Sequence, residues 1–327
     1  MMKDFSLELK TTVAEVDAIV LAQLPKVEGQ QKTVLDAMQY SVAAGGKRIR
    51  PILVQKCYAL YKNRMGAGWN RFMKPIVEAF IGAIEMIHTF SLCHDDLPCM
   101  DGDKYRRGQE STWYKFGEDM GTLAGDALSL YAFQRVTEVY LRQLSRAAVT
   151  GGVDSPDESS KFANAVLKAT SILAGKSGVD GMLGGQTVDV EMTGKPLSEA
   201  QLQFIYELKT GALLEASMMM GAVLGNASQM ELQRLESIAR SIGVAFQIED
   251  DILDETSTQE VLGKPIHSDE ENNKTTWVSI HGLEAAQAEV QRLSEEAIEG
   301  LKGLSEVDED ARQFLIALTE ELIHRKK

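Results

Sequence analysis

Apolar residues recur along this chain with the period of an α-helix. Leu9, Val13, Val16 and Val20 are spaced by four, three and four residues, so they fall on one face of a helix. Similar spacing recurs through most of the sequence, and no sustained alternation of apolar and polar residues predicts a β-strand. The pattern therefore predicts an all-α protein.

Two short motifs mark the starts of helices in the second half of the chain. Ser198–Gln201 and Ser228–Glu231 each place a serine three residues before a Gln or Glu, which is the pattern of a capping box. After the second motif, Leu235, Ile238 and Ile242 continue as a buried stripe towards an acidic segment. We therefore expect helices to begin at both motifs.

Breaks in this pattern are local. We expect surface loops at 62–75 and 151–160, a glycine-rich break at 175–185, and a long polar connection at 255–276. Helical periodicity resumes after each break. The sequence therefore predicts a single all-α domain over residues 1–327.

The amino-acid composition limits which classes of function and fold the chain can have. Apolar residues make up 44% of the chain, and 48 acidic against 34 basic residues give a net charge of −14. Such a charge argues against a nucleic-acid partner, which would select a basic surface. Few aromatic residues, 6% of the chain, favour helix over sheet.

The number of cysteines and the length of the apolar runs indicate in which cellular compartment the protein works. Three cysteines, Cys57, Cys93 and Cys99, cannot all pair, which argues against a disulfide framework and for a reducing compartment. The first residues lack the apolar core of a signal peptide, and no apolar run reaches about 18 residues. We expect a soluble, cytoplasmic protein without an integral membrane segment.

An acidic cluster follows an apolar helix. Asp95, Asp96 and Asp101 lie at its C-terminal end, and Arg106 and Arg107 come soon after. Carboxylates there repel one another, by about 4 kcal/mol per pair at 4 Å and an effective dielectric near 20, and they face the negative end of the helix dipole. A divalent cation would reverse this penalty. The alternative is a solvated acidic turn.

A second acidic cluster lies inside the helix that begins at Ser228. Asp250 and Asp254 are about 40° apart around the helix axis, and Gln247 is about 60° from Asp250. Two such clusters on apolar helices indicate two walls of one site. Oxygen ligands without His or Cys partners favour Mg²⁺ over zinc.

Basic residues could supply the counterpart to such a metal. The segment 45–51 is a Gly-rich turn with three cations, while Lys209–Gly211 interrupts a helix and Lys264 and Lys274 fall in the long connection. Each could be an ordinary surface cation. Acids for Mg²⁺ together with bases for phosphate indicate a bound diphosphate.

The roles of two histidines, His94 and His88, each allow more than one interpretation. Cys93, His94 and Cys99 could begin a zinc site, but the sequence offers no suitably spaced fourth ligand. His88 lies about 20° off the helical face of Asp95 and either points into the same site or is structural.

These residues resemble the trans-isoprenyl diphosphate synthases, most closely the bacterial farnesyl diphosphate synthases, or geranyltranstransferases. The resemblance covers nearly the whole chain, and the segments that carry it are 45–51, 95–101, 106–108, 209–210, 243–248, 250–254 and 262–264. It implies an isoprenoid-synthase-type helical bundle around a deep central cavity, in a homodimer. The implied reaction joins isopentenyl diphosphate head to tail with dimethylallyl or geranyl diphosphate and releases diphosphate.

The resemblance also implies residue roles. It implies that three Mg²⁺ ions, which Mn²⁺ could replace, are held by Asp95, Asp101 and Asp250, with Asp96 also near the metal and with Asp251 and Asp254 in support. The residues implied to hold the allylic substrate are Arg106, Lys209, Thr210, Gln247 and Lys264. Those implied to hold isopentenyl diphosphate are Lys47, Arg50, His88 and Arg107. The residues implied in catalysis itself are Asp95, Asp101, Lys209 and Asp250.

Product length is implied by the residues one turn before the first motif. Phe90 and Ser91 precede Asp95 by five and four residues, and an aromatic residue at the earlier position usually stops growth at fifteen carbons in this family. Phe90 therefore implies farnesyl diphosphate, with geranylgeranyl diphosphate as the alternative. Ordinary core packing is the other interpretation of Phe90.

The sequence departs from the family in the connection after the second motif. It has His267-Ser268-Asp269 where the family usually has Gly-x-Asp, and Trp277-Val278 where it usually has Tyr-Pro. A terpene cyclase would carry a different second metal motif, and a non-catalytic scaffold subunit would have lost acidic residues. Since the chain retains both acidic motifs, we expect a chain-elongating prenyltransferase.

Overall fold

The computed structural model describes residues 5–150, 156–256 and 275–323. Most of the described residues are helical, which confirms the predicted fold class. The principal helices are α1 (Phe5–Gln23), α2 (Lys32–Ala43), α3 (Ile49–Tyr61), α4 (Ala67–Asp95), α5 (Thr112–Phe116), α6 (Glu118–Thr150), α7 (Pro156–Ser177), α8 (Met182–Glu191), α9 (Glu199–Ile205), α10 (Ala212–Leu224), α11 (Gln229–Thr256), α12 (Trp277–His281), α13 (Leu283–Lys302) and α14 (Glu309–Ile323). A 3₁₀ turn at Lys62–Arg64 precedes α4, and a π-helix at Tyr206–Gly211 joins α9 to α10.

The chain forms two compact units. One comprises residues 1–171 and 220–226, and the other comprises 172–219 and 227–327. Long apolar helices pack together in the first unit, with α4 against α6 as its largest helix pair. In the second unit, α9, α11, α12 and α13 share one apolar core that includes Leu202, Ile248, Val278 and Leu293. The prediction of a single domain over 1–327 stays a prediction.

The predicted helix starts are confirmed. In the first motif, Ser198 Oγ accepts the Gln201 N–H at 3.3 Å and the Gln201 side chain accepts the Ser198 N–H at 3.0 Å. In the second, the Ser228 N–H donates to Glu231 at 2.7 Å and Ser228 Oγ accepts the Glu231 N–H at 3.4 Å. Each pair satisfies two backbone donors that a helix start leaves without partners.

The predicted surface loop at 62–75 is wrong for most of its length. Helix α4 begins at Ala67 and contains Pro75, although proline removes one backbone hydrogen bond from a helix interior. Trp69, Phe72 and Met73, in the turns of the helix before Pro75, are buried in the first unit. Burial of these large side chains outweighs the local cost of the proline, which no propensity rule could anticipate.

The other predicted loops are only partly described. Residues 156–160 of the loop expected at 151–160 belong to α7, so that part of the prediction is wrong. In the connection expected at 255–276, residues 255 and 256 are still helical, in α11. The predictions for 151–155 and 257–274 lie outside the described residues.

A two-residue hairpin after the first acidic motif was not predicted. Strand β1 (Tyr105–Arg106) pairs with β2 (Gln109–Glu110) in antiparallel register. The turn between them consists of Arg107 and Gly108, with φ of 54° and 80°. Positive φ at both central positions is the requirement of a tight hairpin turn, and Arg-Gly is a weak signal for it. The strands are also too short to give a pattern of period two.

Helix α4 is long and apolar enough to cross a membrane by length and composition alone. However, 78% of its most apolar 18-residue window is buried inside the protein. Such burial is typical of the central helix of a globular unit, because a membrane-spanning helix would present that surface to lipid.

One buried arginine ties three helices of the first unit together. Arg48 has a φ of 51° just before α3, and its guanidinium is almost completely buried. It donates to Glu85 of α4 at 2.6 Å, to Asp17 of α1 at 2.8 Å and to the Val42 carbonyl of α2 at 2.7 Å. Since Glu85 is also buried, these bonds hold the 45–51 turn in place.

We expect Glu85→Gln to lower the free energy of unfolding by about 3–5 kcal/mol, because it leaves the buried charge of Arg48 with only the half-exposed Asp17 as an ionic partner. Urea unfolding followed by circular dichroism measures the change. The matched control is Glu8→Gln, which breaks the half-exposed 3.5 Å pair with Lys56 and should cost less than about 1 kcal/mol. Equal losses in the two variants would contradict a central role for Arg48.

Candidate active site

The first acidic motif forms a turn at the end of α4. Asp95 is the last residue of the helix, and the Asp101 N–H donates back to the Asp95 carbonyl at 2.9 Å. This bond brings the two ends of the motif together. Asp95 is half-buried, Asp101 is exposed and Asp96 is buried. The turn therefore presents Asp95 and Asp101 while Asp96 faces inward.

Asp96 is engaged by an arginine of the hairpin. Arg106 donates from Nε at 2.6 Å and from Nη2 at 2.5 Å to the same oxygen of Asp96. Nη2 also lies 3.3 Å from Asp103. Burial raises the pKa of Asp96, and the hydrogen bonds from Arg106 act against this rise. The pair fixes the hairpin beside the acidic turn.

The hairpin also carries Arg107 onto the Gly-rich turn. Arg107 Nη1 donates to the Gly45 carbonyl. A Cβ atom on Gly46 would lie 2.7 Å from the Arg107 guanidinium carbon, so only glycine permits this approach. The predicted turn over 45–51 is wrong for its last three residues, which already belong to α3. This segment and Arg107 thus belong to one cationic surface of the first unit. Lys47 is exposed in the same turn.

Arg50 and His88 complete this cationic cluster. Arg50 Nε is buried and has no hydrogen-bond partner within the part of the chain that the structure describes. Burial lowers the pKa of Arg50 to about 10, which leaves it charged at neutral pH. Burial, followed by the charges of Arg50, Arg107, Arg106 and Arg48, holds the pKa of His88 well below its usual range. His88 is therefore a neutral imidazole among arginines.

This cluster of Arg50, His88 and Arg107 suits an anion. An unpartnered buried N–H costs about 1–3 kcal/mol, and an oxyanion is the acceptor that arginines bind best. The neutral imidazole can donate one further hydrogen bond without adding charge. Lys47, Arg50, His88 and Arg107, which were predicted to hold one diphosphate, lie in or beside this cluster.

The predicted alternative of a zinc site finds no support. The His94 ring nitrogen lies 3.1 Å from the Thr122 carbonyl, Cys93 Sγ lies 3.5 Å from Thr112 Oγ1, and Cys99 is exposed. The three side chains thus have separate surroundings. Over the described ranges, no three His, Cys, Asp or Glu side chains form a group that could hold a metal ion by itself.

The two residues predicted to limit product length lie on α4 just before the acidic turn. Phe90 is 7% exposed, and its ring meets the His94 ring edge-on with centroids 5.7 Å apart. Gly125 of α6 has no side chain where the His94 ring sits, since a Cβ there would be 2.2 Å away. Ser91 is half-buried and bonds the His88 carbonyl at 2.9 Å. The Phe90 ring is thus held by the ring of His94, and its role in limiting product length stays a prediction.

The second acidic motif lies on α11 in the second unit. Asp250 is half-buried, while Asp251 and Asp254 are buried. Asp251 Oδ2 accepts the Tyr206 hydroxyl and also the Trp277 N–H at 2.9 Å. As in the first motif, the middle carboxylate is held by neighbouring donors, and Asp250 remains at the surface of the site.

The predicted interruption at Lys209–Gly211 is confirmed as part of the π-helix. Thr210 Oγ1 donates a hydrogen bond to Gln247 of α11 at 2.9 Å, so Thr210 lies beside the second acidic motif. Lys209 Nζ lies 2.5 Å from Asp189 of α8. π-Helical turns often occur at functional sites.

Sequence reasoning missed Asp189 and Tyr206. Asp189 lies 20 residues from Lys209, and Tyr206 lies 45 residues from Asp251. A local signal did exist in α8. The Gly184-Gly185 pair lies one turn before Asp189, and a Cβ on Gly185 would be 2.3 Å from the backbone nitrogen of Lys209. Such a pair indicates close helix packing, but not its partner.

These residues surround a cavity in the second unit of about 140 Å³. Polar and apolar side chains both line it, as expected for a site that binds a charged group next to a hydrocarbon. Its lining residues are Asp189, Leu197, Leu202, Ile205, Tyr206, Lys209, Thr210, Gln247, Asp250, Asp251, Thr275 and Thr276. The predictions for Lys264, Lys274 and the 267–269 segment lie outside the described residues.

Three comparisons identify relatives of this chain. Residues 31–314 match the model of the polyprenyl synthetase family. The chain is 39% identical over 294 residues to heterodimeric geranylgeranyl pyrophosphate synthase large subunit 1 of Arabidopsis thaliana, covering 89% of this chain and 72% of that protein. It is 37% identical to farnesyl diphosphate synthase of Geobacillus stearothermophilus, covering 93% of both chains.

A solved structure also aligns along the chain. The geranyltransferase from Helicobacter pylori, complexed with magnesium and isoprenyl diphosphate, matches with a TM-score of 0.78 and 28% identity, covering 98% of each chain. The resemblance inferred from the sequence motifs is thus confirmed over nearly the whole length. This chain belongs to the polyprenyl synthetase family, and it is a prenyltransferase of the trans-prenyl diphosphate synthase type.

Proposed function

We propose that this prenyltransferase joins isopentenyl diphosphate to dimethylallyl and geranyl diphosphate and makes farnesyl diphosphate. The observation that carries the proposal is the cationic cluster of Arg50, His88 and Arg107. It combines a buried, unpartnered guanidinium N–H with a neutral imidazole and a second arginine. A diphosphate supplies the multiple acceptor oxygens that such a cluster lacks.

We assign this cluster, together with Lys47, to isopentenyl diphosphate. Its arginines can each donate two parallel hydrogen bonds, which orients the diphosphate as well as binding it. We assign Lys209, Thr210 and Gln247, which line the 140 Å³ cavity, to the allylic diphosphate. Arg106 of the first unit and Lys264 are assigned to the same substrate by family resemblance alone.

The donor set of the acidic motifs fits Mg²⁺. Mg²⁺ in proteins is usually bound by one or two carboxylates, with waters and substrate phosphates as its other ligands. Asp95, Asp101 and Asp250 are the carboxylates we assign to it, in the family number of three ions, with Mn²⁺ as a substitute. Asp96 stands closest to Arg106, so we expect it to support the turn that presents Asp95. Bound Mg²⁺ would neutralise negative charge on a departing diphosphate.

The chain's own groups then have separate tasks. Lys209 and the cations around Arg50 hold the two diphosphates, and apolar residues of α4 such as Phe90 exclude water from the hydrocarbon. As the allylic C–O bond breaks, Lys209 stabilises the leaving oxygens. The isopentenyl double bond then forms the new C–C bond, and the proton lost goes to the released diphosphate, so no side-chain base is required.

Product length is the finer part of the proposal. Phe90 lies one turn before Asp95 on a helix that would run alongside the growing chain, and its ring is buttressed by His94. We therefore favour a fifteen-carbon product. A twenty-carbon product is the second candidate, because a relative at 39% identity is a geranylgeranyl pyrophosphate synthase subunit.

Assembly as a homodimer is supported by one face of α6. Leu123, Leu130, Leu141 and Leu144 are all exposed, and they lie within about 60° of one another around the helix axis. Such a stripe on a long helix is typical of a subunit interface, since exposed apolar residues are otherwise scattered. We propose that a second copy of this chain covers it and that the dimer is cytoplasmic.

The metal assignment predicts a strict dependence on Mg²⁺ or Mn²⁺. Purified protein incubated with isopentenyl and geranyl diphosphates should release diphosphate, and excess chelator should abolish turnover. We expect Asp95→Ala or Asp250→Ala to cost several powers of ten in kcat, because the metals act on charge that develops in the transition state. Full activity in chelator or in either variant would refute the assignment. Diphosphate release without isopentenyl diphosphate would instead indicate a cyclase.

Phe90→Ala should shift the product from fifteen carbons to twenty or more, as measured by chromatography of the dephosphorylated prenols. Removal of the ring opens the cavity wall one turn before Asp95. Phe80→Ala is the matched control on the same helix, fully buried and about 15 Å further from Asp95. Both variants should lose about 3–5 kcal/mol of stability, but the control should keep the wild-type product. A folded Phe90→Ala variant that still stops at fifteen carbons would exclude Phe90 as the limit.

Leu130→Glu combined with Leu141→Glu should convert the dimer to a monomer in sedimentation equilibrium, because two charges would be buried unpaired in each interface copy. Leu167→Glu on α7, equally exposed, is the control and should remain dimeric. A wild-type monomer, or a double variant that still dimerises, would show that the α6 face is not the interface.

A further inference from the structure

Two hydrogen bonds connect the π-helix to α11. The bonded residues have the same spacing in the π-helix as in α11. Thr210 bonds Gln247, and Tyr206 bonds Asp251. Each pair of positions is four residues apart, and in α11 such positions lie on one face. The two bonds run in opposite order along the two segments. They therefore fix the register between the π-helix and α11.

One oxygen of the Asp251 carboxylate accepts two hydrogen bonds in this arrangement. Its Oδ2 accepts both the Tyr206 hydroxyl and the Trp277 N–H, and the side chain is buried. A buried carboxylate is stable only when donors surround it. Because Trp277 is the first residue of α12, one oxygen joins the π-helix, α11 and α12.

The backbone around the π-helix leaves little room for adjustment. A Cβ on Gly243 of α11 would lie 2.8 Å from Gly211 Cα, and one on Gly185 of α8 would lie 2.3 Å from the Lys209 nitrogen. Both neighbours thus touch the π-helix main chain. A small change in its rotation would move Lys209 and Thr210 together, since they are consecutive residues of it.

We propose that Tyr206 is a positioning residue for the prenyl transfer. Its hydroxyl, through Asp251, sets the register that places Lys209 and Thr210 opposite Asp250. This inference rests on the proposed function, because it assigns Lys209, Thr210 and Asp250 to the allylic diphosphate and its metal. Tyr206 also lines the cavity, but in this role it acts through the hydrogen bond of its hydroxyl to Asp251, which is its anchor.

Tyr206→Phe keeps the buried ring and removes only the hydroxyl. We expect kcat/KM for geranyl diphosphate to fall by about tenfold to hundredfold, the effect of one hydrogen bond to a charged group, with KM for isopentenyl diphosphate unchanged within about twofold. The matched control is Tyr58→Phe, which removes a 2.7 Å bond to Asn70 in the first unit. It should leave both parameters unchanged. If Tyr206→Phe has the kinetics of Tyr58→Phe, Tyr206 is only structural and the proposal is wrong.

A double-mutant cycle distinguishes the anchor from a metal ligand. If Tyr206 acts through Asp251, Tyr206→Phe should add no more than about a twofold loss to Asp251→Asn, because the shared interaction is already gone. The Mg²⁺ concentration for half-maximal activity should be similar in Tyr206→Phe and wild type. Fully additive losses, or a raised Mg²⁺ requirement in Tyr206→Phe, would overturn the positioning role.

A measurement without substrate separates this proposal from the proposed function. Hydrogen exchange of the Trp277 amide, followed by NMR, should be about tenfold faster in Tyr206→Phe, since Asp251 loses the hydroxyl that holds it. Tyr58→Phe should exchange at the wild-type rate. If the wild type does not join isopentenyl diphosphate to the allylic diphosphate, the proposed function fails. The exchange result still decides whether Tyr206 anchors Asp251. An unchanged Trp277 rate would overturn the anchor.

Discussion

Burial of the Arg48 guanidinium is the constraint on which the first unit depends. A charge in this position requires partners in low dielectric, and Glu85, Asp17 and the Val42 carbonyl provide them from three helices. Glu85 is thereby committed to Arg48. Arg50, two residues further along in the first turn of α3, keeps a buried N–H without a partner among the described residues. The ion pair that stabilises the fold also leaves a neighbouring cation for a ligand.

The second unit applies the same principle with the signs reversed. Its buried carboxylate, Asp251, accepts hydrogen bonds from a phenol and a backbone amide. Lys209 pairs instead with Asp189, which reduces the charge available in the cavity. Under the proposed assignment, a diphosphate competes with Asp189 for the ammonium of Lys209, whereas at Arg50 it supplies an acceptor that no described residue provides. The two proposed diphosphate sites therefore differ, because the cation of one is already paired with a carboxylate and the cation of the other is not satisfied by the described residues.

Features carried by local sequence were predictable. The two capping boxes depend on residues three apart, and the break at Lys209–Gly211 lies within one helical turn. Longer-range features were not. Local propensity places Pro75 in a loop, because it carries no information on the burial of Trp69 and Phe72.

Partner choice was the main limit on predicting the site. Arg48 counted as one of three phosphate-binding cations in the 45–51 turn, but its partners Asp17 and Glu85 lie 31 and 37 residues away. Tyr206 carried no motif at all. Sequence motifs identify which residue types gather in a site, while the division between structural and ligand-binding charges depends on contacts between distant helices.

That division explains how an acidic chain can bind two anionic substrates. A net charge of −14 makes the long-range field repel diphosphates, and salt screens that field beyond about 8–10 Å. Binding must therefore come from cations close to the ligand and partly removed from water. Arg50 meets this requirement, since burial lowers its pKa only to about 10 and it stays charged at neutral pH. His88 beside it is neutral, which limits the repulsion among the clustered arginines while retaining a hydrogen-bond donor.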